Sequence, residues 1–173
     1  MASNTLGQLR GSLVKAKHVT RIKRFTIMVA VIVVCVTLFT HQNRQWQLTR
    51  AAQDGDLAAV KRCMWLGVNV DAEPICDGAA NSGEPAFIAA AREGHDDVVL
   101  FLLHHGANIN RRDSCGNTAL NAAVIRGHSS TVQLLLSHGA NPNLQGEGSP
   151  LWNAENRDDT NIIEVLKSHG ATK

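Results

Sequence analysis

The stretch TALNAAVIRGH (residues 118–128) decides how the rest of the chain is read. A threonine able to cap a helix is followed by alanines, leucine and other helix-compatible residues, then by a Gly-His turn. Three further stretches align with it on one position: WQLTRAAQDG (46–55), PAFIAAAREGH (85–95) and SPLWNAENRD (149–158). Each of the four leads into an apolar helical pattern that stops at a glycine, namely Gly67, Gly106, Gly139 and Gly170. Those glycines are 39, 33 and 31 residues apart. A period near 33 marks a stacked repeat, in which no unit can bury its apolar face alone. Such an array offers a surface to another macromolecule more readily than a closed pocket for chemistry.

Within each unit the residues specify two helices. Thr118 and Ser149 stand where the inner helix begins, and their hydroxyls can accept from free backbone amides there. Alanines (Ala51, Ala52, Ala90, Ala91, Ala123, Ala154) keep that helix thin, so neighbouring units can approach. Gly55, Gly94 and Gly127 suit a turn that needs positive φ. Val98, Val99, Leu102 and Leu103, then Val132, Leu134, Leu135 and Leu136, give the outer helices their apolar face. Trp65 and Trp152 fall in helix patterns and are expected to pack. Trp46 could anchor at a membrane interface or pack under the first unit.

The third unit, with DSCGNTAL (113–120), Ala122-Ala123, Gly127-His128 and LLLSHGAN (134–141), resembles the ankyrin repeat family, and the resemblance extends over about residues 45–173. It implies a β-hairpin tip followed by two short antiparallel helices in every unit. The expected fold is therefore an all-α repeat solenoid of about four units (45–71, 80–112, 113–145 and 146–173), preceded by one transmembrane helix. The first unit lacks a hairpin and reads as an amino-terminal cap. The last has a hairpin shorter by two residues, Asp158 in place of the turn glycine, and Glu155 and Lys167 at positions normally apolar, as a carboxy-terminal cap requires. Four units exceed the roughly three needed for stability. The loop AEPICDGAANSGEP (72–85) carries a six-residue insertion, readable as a tolerated lengthening or as a finger that contacts a partner.

Charge is divided along the chain. Residues 1–24 carry six Lys or Arg and no acid, whereas residues 45–173 carry all 15 acids against 10 bases, a net of −5. An acidic repeat face argues against nucleic acid as its partner, since phosphate binding needs clustered cations. Between these regions, FTIMVAVIVVCVTLFT (25–40) has no charge, and with His41, Gln42 and Asn43 the uncharged run reaches 19 residues. As a helix it would span about 28 Å, close to the hydrocarbon core of a bilayer. No small-x-small cleavage site follows, so residues 25–43 read as an uncleaved anchor. The cationic excess before the anchor predicts a cytoplasmic amino terminus, with the repeats outside the cytoplasm, in a bacterial periplasm. Residues 1–43 would meet membrane lipid. Two alternatives stay open: the mitochondrial inner membrane, because Leu6, Leu9 and Leu13 lie at helical spacing among cations, and repeats that face the cytosol.

Nothing in the sequence points to catalysis, a cofactor or a metal. Phosphate-loop, nucleophile-elbow, His-Glu-x-x-His and Cys-x-x-Cys motifs are absent. The histidines recur at fixed offsets, at the Gly-His turn of the second and third units (His95, His128) and before the glycine that ends the outer helix of the last three (His105, His138, His169, with His104 beside the first). Equivalent positions in stacked units lie about 10 Å apart, too far to share a zinc ion. Cys76 and Cys115 occupy neighbouring tip regions and could pair in an oxidising compartment, or could simply be small apolar residues.

The expected role is a membrane-tethered module, not an enzyme, with a monomeric repeat domain that holds a protein partner. The rival reading is a structural or regulatory membrane subunit whose anchor makes the key contact. Ankyrin proteins bind through hairpin tips and the exposed side of the inner helices. Carried onto this chain, that resemblance implicates Asn81, Ser82, Glu84, Arg92, Glu93, Arg112, Ser114, Asn117, Ile125, Arg126, Asn156 and Arg157. Ile125 is the apolar member, flanked by Arg92, Arg126 and Arg157.

Overall fold

The computed structural model describes residues 44–71 and 84–172, together with Met28. The tail, the anchor at 25–43 and most of the inserted loop, including Cys76, Asn81 and Ser82, lie outside the described residues, Met28 excepted. Among the described residues no helix is long and apolar enough to cross a membrane. The repeats fall within one compact unit, Gln42–Lys173.

Among the described residues of the repeats, eight helices form four pairs. The inner helices are α1 (helical over 44–53), α3 (Ala86–Glu93), α5 (Ala119–Arg126) and α7 (Pro150–Asn156). The outer helices are α2 (Leu57–Trp65), α4 (Asp96–His104), α6 (Ser129–Ser137) and α8 (Thr160–Ser168). α3 packs on α5 and α5 on α7, so the inner helices make one layer, and α4, α6 and α8 follow one another in the second. The alanine-rich inner helix permits the close stacking: every residue from Ala86 to Ala91 is buried. Val98, Val99, Leu102, Val132, Leu135, Ile162 and Leu166 fill the space between layers without measurable exposure.

Capping follows the sequence. The side chains of Thr118 and Ser149 accept from the amides of Asn121 at 3.2 Å and Trp152 at 3.1 Å. Asp56 and Asp159 do the same for the outer helices of the first and last units. The inner-to-outer turn is left-handed in all four units, with φ of +70° at Gly55, +79° at Gly94 and Gly127, and +53° at Asp158. Aspartate is among the few non-glycine residues that adopt this conformation at modest cost. At the other end of the outer helices, the Nδ1–H groups of His105, His138 and His169 donate to the carbonyls of Phe101, Leu134 and Val165 at 2.8–2.9 Å. The recurring histidines thus finish helices.

Successive units are also fastened by a polar ladder that the sequence reading missed. The Asp71 carboxylate accepts from the Asn108 amide at 3.1 Å, the Asn110 side chain from the Asn141 amide at 2.9 Å, and the Asn143 side chain from the Thr172 amide at 2.8 Å. The same Asx residues are oriented within their own units, since Asn69, Asn108 and Asn141 accept from the amides of Asp71, Asn110 and Asn143. One rung therefore joins each neighbouring pair of units.

The tips differ from the expected hairpins. Among the described residues they are isolated antiparallel bridges, Arg112 with Thr118 and Gly146 with Gly148, and no strand forms. The reason is local. Asp113 closes its turn with its own carboxylate, which accepts from the amides of Cys115 at 2.9 Å and Asn117 at 2.7 Å. The last tip is shorter, as expected, and nests against the third unit: the Asn117 side chain accepts from the Glu147 amide at 2.8 Å.

Candidate functional site

Those of the implicated residues that are described, all but Asn81 and Ser82, lie at or near the ends of α3, α5 and α7 and at the tips that precede these helices. On α3, Arg92 Nη2 lies 3.0 Å from Glu84 Oε2, and Arg92 Nε donates to Glu93 Oε1 at 3.1 Å. The Glu84 side chain is only 12 % exposed. Burial pushes its carboxyl above the usual carboxylate range, and the Arg92 guanidinium opposes that shift. Asp113 and Glu93 push in the same direction as burial, and Arg126 in the opposite one. These charges on two neighbouring units therefore act on one another.

Ile125 is partly exposed at the end of α5. Its carbonyl accepts from Arg157 Nη1 at 2.9 Å. This is the same fastening that His95 makes two units earlier, where Nε2–H donates to the Gln53 carbonyl at 2.9 Å. Both accepting carbonyls lie two residues before the turn position, and both donors cover that turn. A Cβ on Gly55 would come within 2.7 Å of the His95 ring, and one on Gly127 within 2.5 Å of Arg157 Nη2. Arg157 thus does in the last unit what the turn histidine does in the second.

Several of the remaining candidates are committed in the same way. Arg112 Nε donates to the Gly116 carbonyl at 2.9 Å, and its Nη2 reaches the Gln145 carbonyl of the next unit. The Asn117 side-chain oxygen accepts from Asn121 Nδ2 at 3.0 Å as well as from Glu147. Arg126, by contrast, is exposed and makes no hydrogen bond or ion pair among the described residues. Ser114 and Asn156 are exposed beside this group. The arrangement is a partly buried ion pair and braced arginines around a small apolar spot, with Arg126 standing uncommitted at its edge. Such a surface can grip a protein group, and it has no paired nucleophile and base.

Cys115 is exposed at its tip and free, while Cys63 is buried, which raises its thiol pKa against the opposing pull of Arg62. The Cys76–Cys115 pairing lies outside the described residues because Cys76 does. Among the described residues, no three of His, Cys, Asp and Glu come together as a metal site. Two expectations about tryptophan are corrected: Trp65 is 87 % exposed and Trp152 54 %, so neither is a packed core residue. Alignment carried the missed signal. Trp65 is two residues before Gly67, where the other units hold His104, Ser137 and Ser168, all exposed.

A family model described as ankyrin repeats, in three copies, matches residues 48–146. Over 74 residues the chain is 42 % identical to E3 ubiquitin-protein ligase XBAT33 of Arabidopsis thaliana, covering 42 % of this chain and 14 % of that protein. Over 73 residues it is 40 % identical to probable E3 ubiquitin-protein ligase XBOS33 of Oryza sativa subsp. japonica, covering 42 % of this chain and 13 % of that one. The matching stretch is thus about one-seventh of the length of these curated relatives. Repeat spacing, stacked helix pairs and the match over more than half of its length together establish that the chain belongs to the ankyrin-repeat family, and its repeats are a protein–protein interaction module.

Proposed function

We propose that this chain is a membrane-tethered adaptor, without catalytic activity of its own, that holds a protein partner on the inner face of its repeats around Ile125 and Arg126. The observation that carries the reading is the division of labour among the arginines. Arg92, Arg112 and Arg157 each hold a neighbouring group of the fold, whereas Arg126 has no such task among the described residues and borders the partly exposed Ile125. An apolar anchor beside an exposed cation that makes no hydrogen bond or ion pair among the described residues, within a charged rim, is the composition of an interaction hot spot. The tether rests on the uncharged run 25–43 and the cationic excess before it. The repeats would then lie outside the cytoplasm, in contact with a protein partner and not with nucleic acid. The likeness to the two plant ubiquitin ligases covers only about one-seventh of each, so ligation is not carried over.

A photo-crosslinking residue at position 125 of the full chain tests the surface. One discrete adduct is expected, reduced about tenfold by Arg126→Glu, as loss of about 1.4 kcal/mol implies, and absent when the probe sits at the exposed outer-helix residue Gln133. Equal adducts at 125 and 133 would remove the inner face from consideration. Alkaline extraction and a compartment-specific reporter after Lys173 test the tether: release from membranes, or a cytoplasmic signal, would overturn that part of the reading separately.

A further inference from the structure

The last turns of the outer helices lie in a row along one edge of the stack. The Asx ladder that follows them joins unit to unit in order, and Lys61 Nζ stands 5.6 Å from the centre of the Phe101 ring in the next unit. Positions on this edge stay open in every unit. Trp65 is 87 % exposed, and its counterparts His104, Ser137 and Ser168 are exposed as well. Leu66 is 46 % exposed, at the position that His105, His138 and His169 hold, also exposed, in the other units. The openness of both side chains is thus a property of their place within a unit, and is independent of what stacks on the first one.

Charge is sorted on the same edge. Residues 45–173 carry a net of −5, yet the last two turns of the outer helices (61–67, 100–106, 133–139 and 164–170) hold Lys61, Arg62 and Lys167 against a single acid, Glu164. Asp56, Asp96, Asp97 and Asp159 stand at the opposite ends of these helices. The negative dipole end of a helix would oppose an anion, but in three units a histidine Nδ1–H covers a terminal carbonyl. In the first unit Lys61 and Arg62 are exposed one turn before Trp65 and Leu66, and no acid lies between 57 and 70. Cations, an indole and a leucine therefore share one open face of α2.

We propose that this edge docks on an anionic membrane surface, with Trp65 and Leu66 entering the headgroup layer and Lys61 and Arg62 set against lipid phosphates. An indole, apolar in body and polar at its N–H, suits that layer, and flanking cations add attraction to acidic lipid. The inference rests on the tether reading for what brings the first unit to a bilayer. The chain reverses at Gly55, so the start of α1 at 44, where the uncharged run ends, and the end of α2 at Trp65 fall at one end of the first helix pair. Trp46 and Leu66 accordingly border one groove, with Asp54 and Asp56 at its other end. The same reversal at Gly127 puts Ile125, at the end of α5, at the opposite end of its pair from this edge. Lipid contact at the edge thus leaves the protein-binding surface open.

Trp65 itself reports the contact. Trp46→Phe and Trp152→Phe leave it the sole indole of the full chain, which is reconstituted in vesicles of phosphatidylcholine and phosphatidylglycerol brominated near the headgroups. Emission from Trp65 should fall about twofold relative to unbrominated vesicles, as an indole in the headgroup layer requires. The quenching should weaken when phosphatidylcholine replaces the anionic lipid, and when Lys61→Glu and Arg62→Glu are introduced together. With all three tryptophans replaced by Phe and Ile125→Trp as the reporter, no quenching is expected. Circular dichroism checks that each variant is folded; should Trp46→Phe unfold, the difference in quenched emission between wild type and Trp65→Phe carries the same information. An unquenched Trp65, quenching indifferent to lipid charge and to charge reversal, or equal quenching at position 125 would each overturn the proposal. Alkaline extraction of the same vesicles reads the tether separately. A chain retained by the vesicles with Trp65 unquenched sinks the docking alone, whereas one released by alkali after its Trp65 was quenched sinks the tether and leaves the docking supported.

Discussion

Asn121 is the residue whose replacement tests most directly how the polar contacts hold the stack. It has no measurable exposure. Its Nδ2 donates to Asn117 Oδ1 at 3.0 Å and to the Gly148 carbonyl at 3.3 Å, while its Oδ1 accepts from Asn153 Nδ2 at 2.8 Å. Asn121→Asp preserves size and shape but replaces the donating amine by an oxygen that faces two acceptors. Two bonds of about 1 kcal/mol each are lost, and a carboxylate is left buried without a cation, which brings the total to about 3–5 kcal/mol at neutral pH. The penalty must depend on pH in a defined direction. Burial among acceptors raises the folded-state pKa of the introduced carboxyl above the unfolded value of about 3.9. The protonated form is thus the one the fold tolerates. Relative to wild type, the variant recovers stability as pH falls through that raised value, and the deficit returns as pH rises through it. Once protonated, the introduced carboxyl regains one donor, leaving a deficit of about 1 kcal/mol. Urea unfolding followed by far-ultraviolet circular dichroism, on both proteins at pH 7 and pH 4, supplies the comparison. A deficit at pH 7 below about 1 kcal/mol, or one unchanged at pH 4, would refute the reasoning.

Three other substitutions probe separate features. Glu84→Gln should cost less than about 1 kcal/mol at neutral pH, because burial already disfavours the ionised form, whereas Arg92→Ala leaves that carboxylate unpaired and should cost about 1–3 kcal/mol. Since the folded-state pKa of Glu84 is raised, wild type should gain on the Gln variant as pH falls through it, and urea titrations at several pH values that show the opposite slope would count against this assignment. Gly146→Ala would put a Cβ 2.7 Å from Asn117 Cα and 2.9 Å from the Gly116 carbonyl oxygen, both backbone atoms. Thermal unfolding should show a loss of about 1–3 kcal/mol, and an unchanged midpoint would mean that the last two tips do not nest. Asn110→Ala removes the acceptor of the Asn141 amide, so hydrogen exchange there should accelerate and stability should fall by about 1–2 kcal/mol. Unaltered exchange at Asn141 would show that the ladder does not fasten these units.

The helices, turns and caps were legible because each repeats at a fixed offset and serves a need internal to one unit. Thr118 caps whether or not a neighbour is present, and the turn glycine needs positive φ for its own chain reversal. Contacts between units were harder to see. The ladder of Asp71, Asn110 and Asn143 looks in sequence like ordinary polar loop residues, and only stacking brings each to the next unit's amide. The tryptophans failed for a related reason. An indole in a helical pattern suggests packing, but the exposure of Trp152 follows from which unit it is in, and that of Trp65 from which side of α2 it occupies. Comparing aligned positions would have separated the two cases, whereas residue type alone could not.

That distinction also governs which residues can carry function. In a repeat fold a side chain that recurs has the same task in each unit that holds it, as the helix-ending histidines do in the last three units, and its presence says little about a partner. A side chain that departs from the period has either taken over such a task by other means or is free of one. Arg157 belongs to the first kind, because it fastens the Ile125 carbonyl as His95 fastens that of Gln53. Asp158 belongs there too, since it supplies the left-handed turn without glycine. Arg126 and Trp152 belong to the second. Arg126 has no hydrogen bond or ion pair among the described residues, and Trp152 holds an exposed indole where the other units hold covered side chains. Neither residue is held by a neighbouring unit, and the proposed protein contact on the inner face gives a task to Arg126.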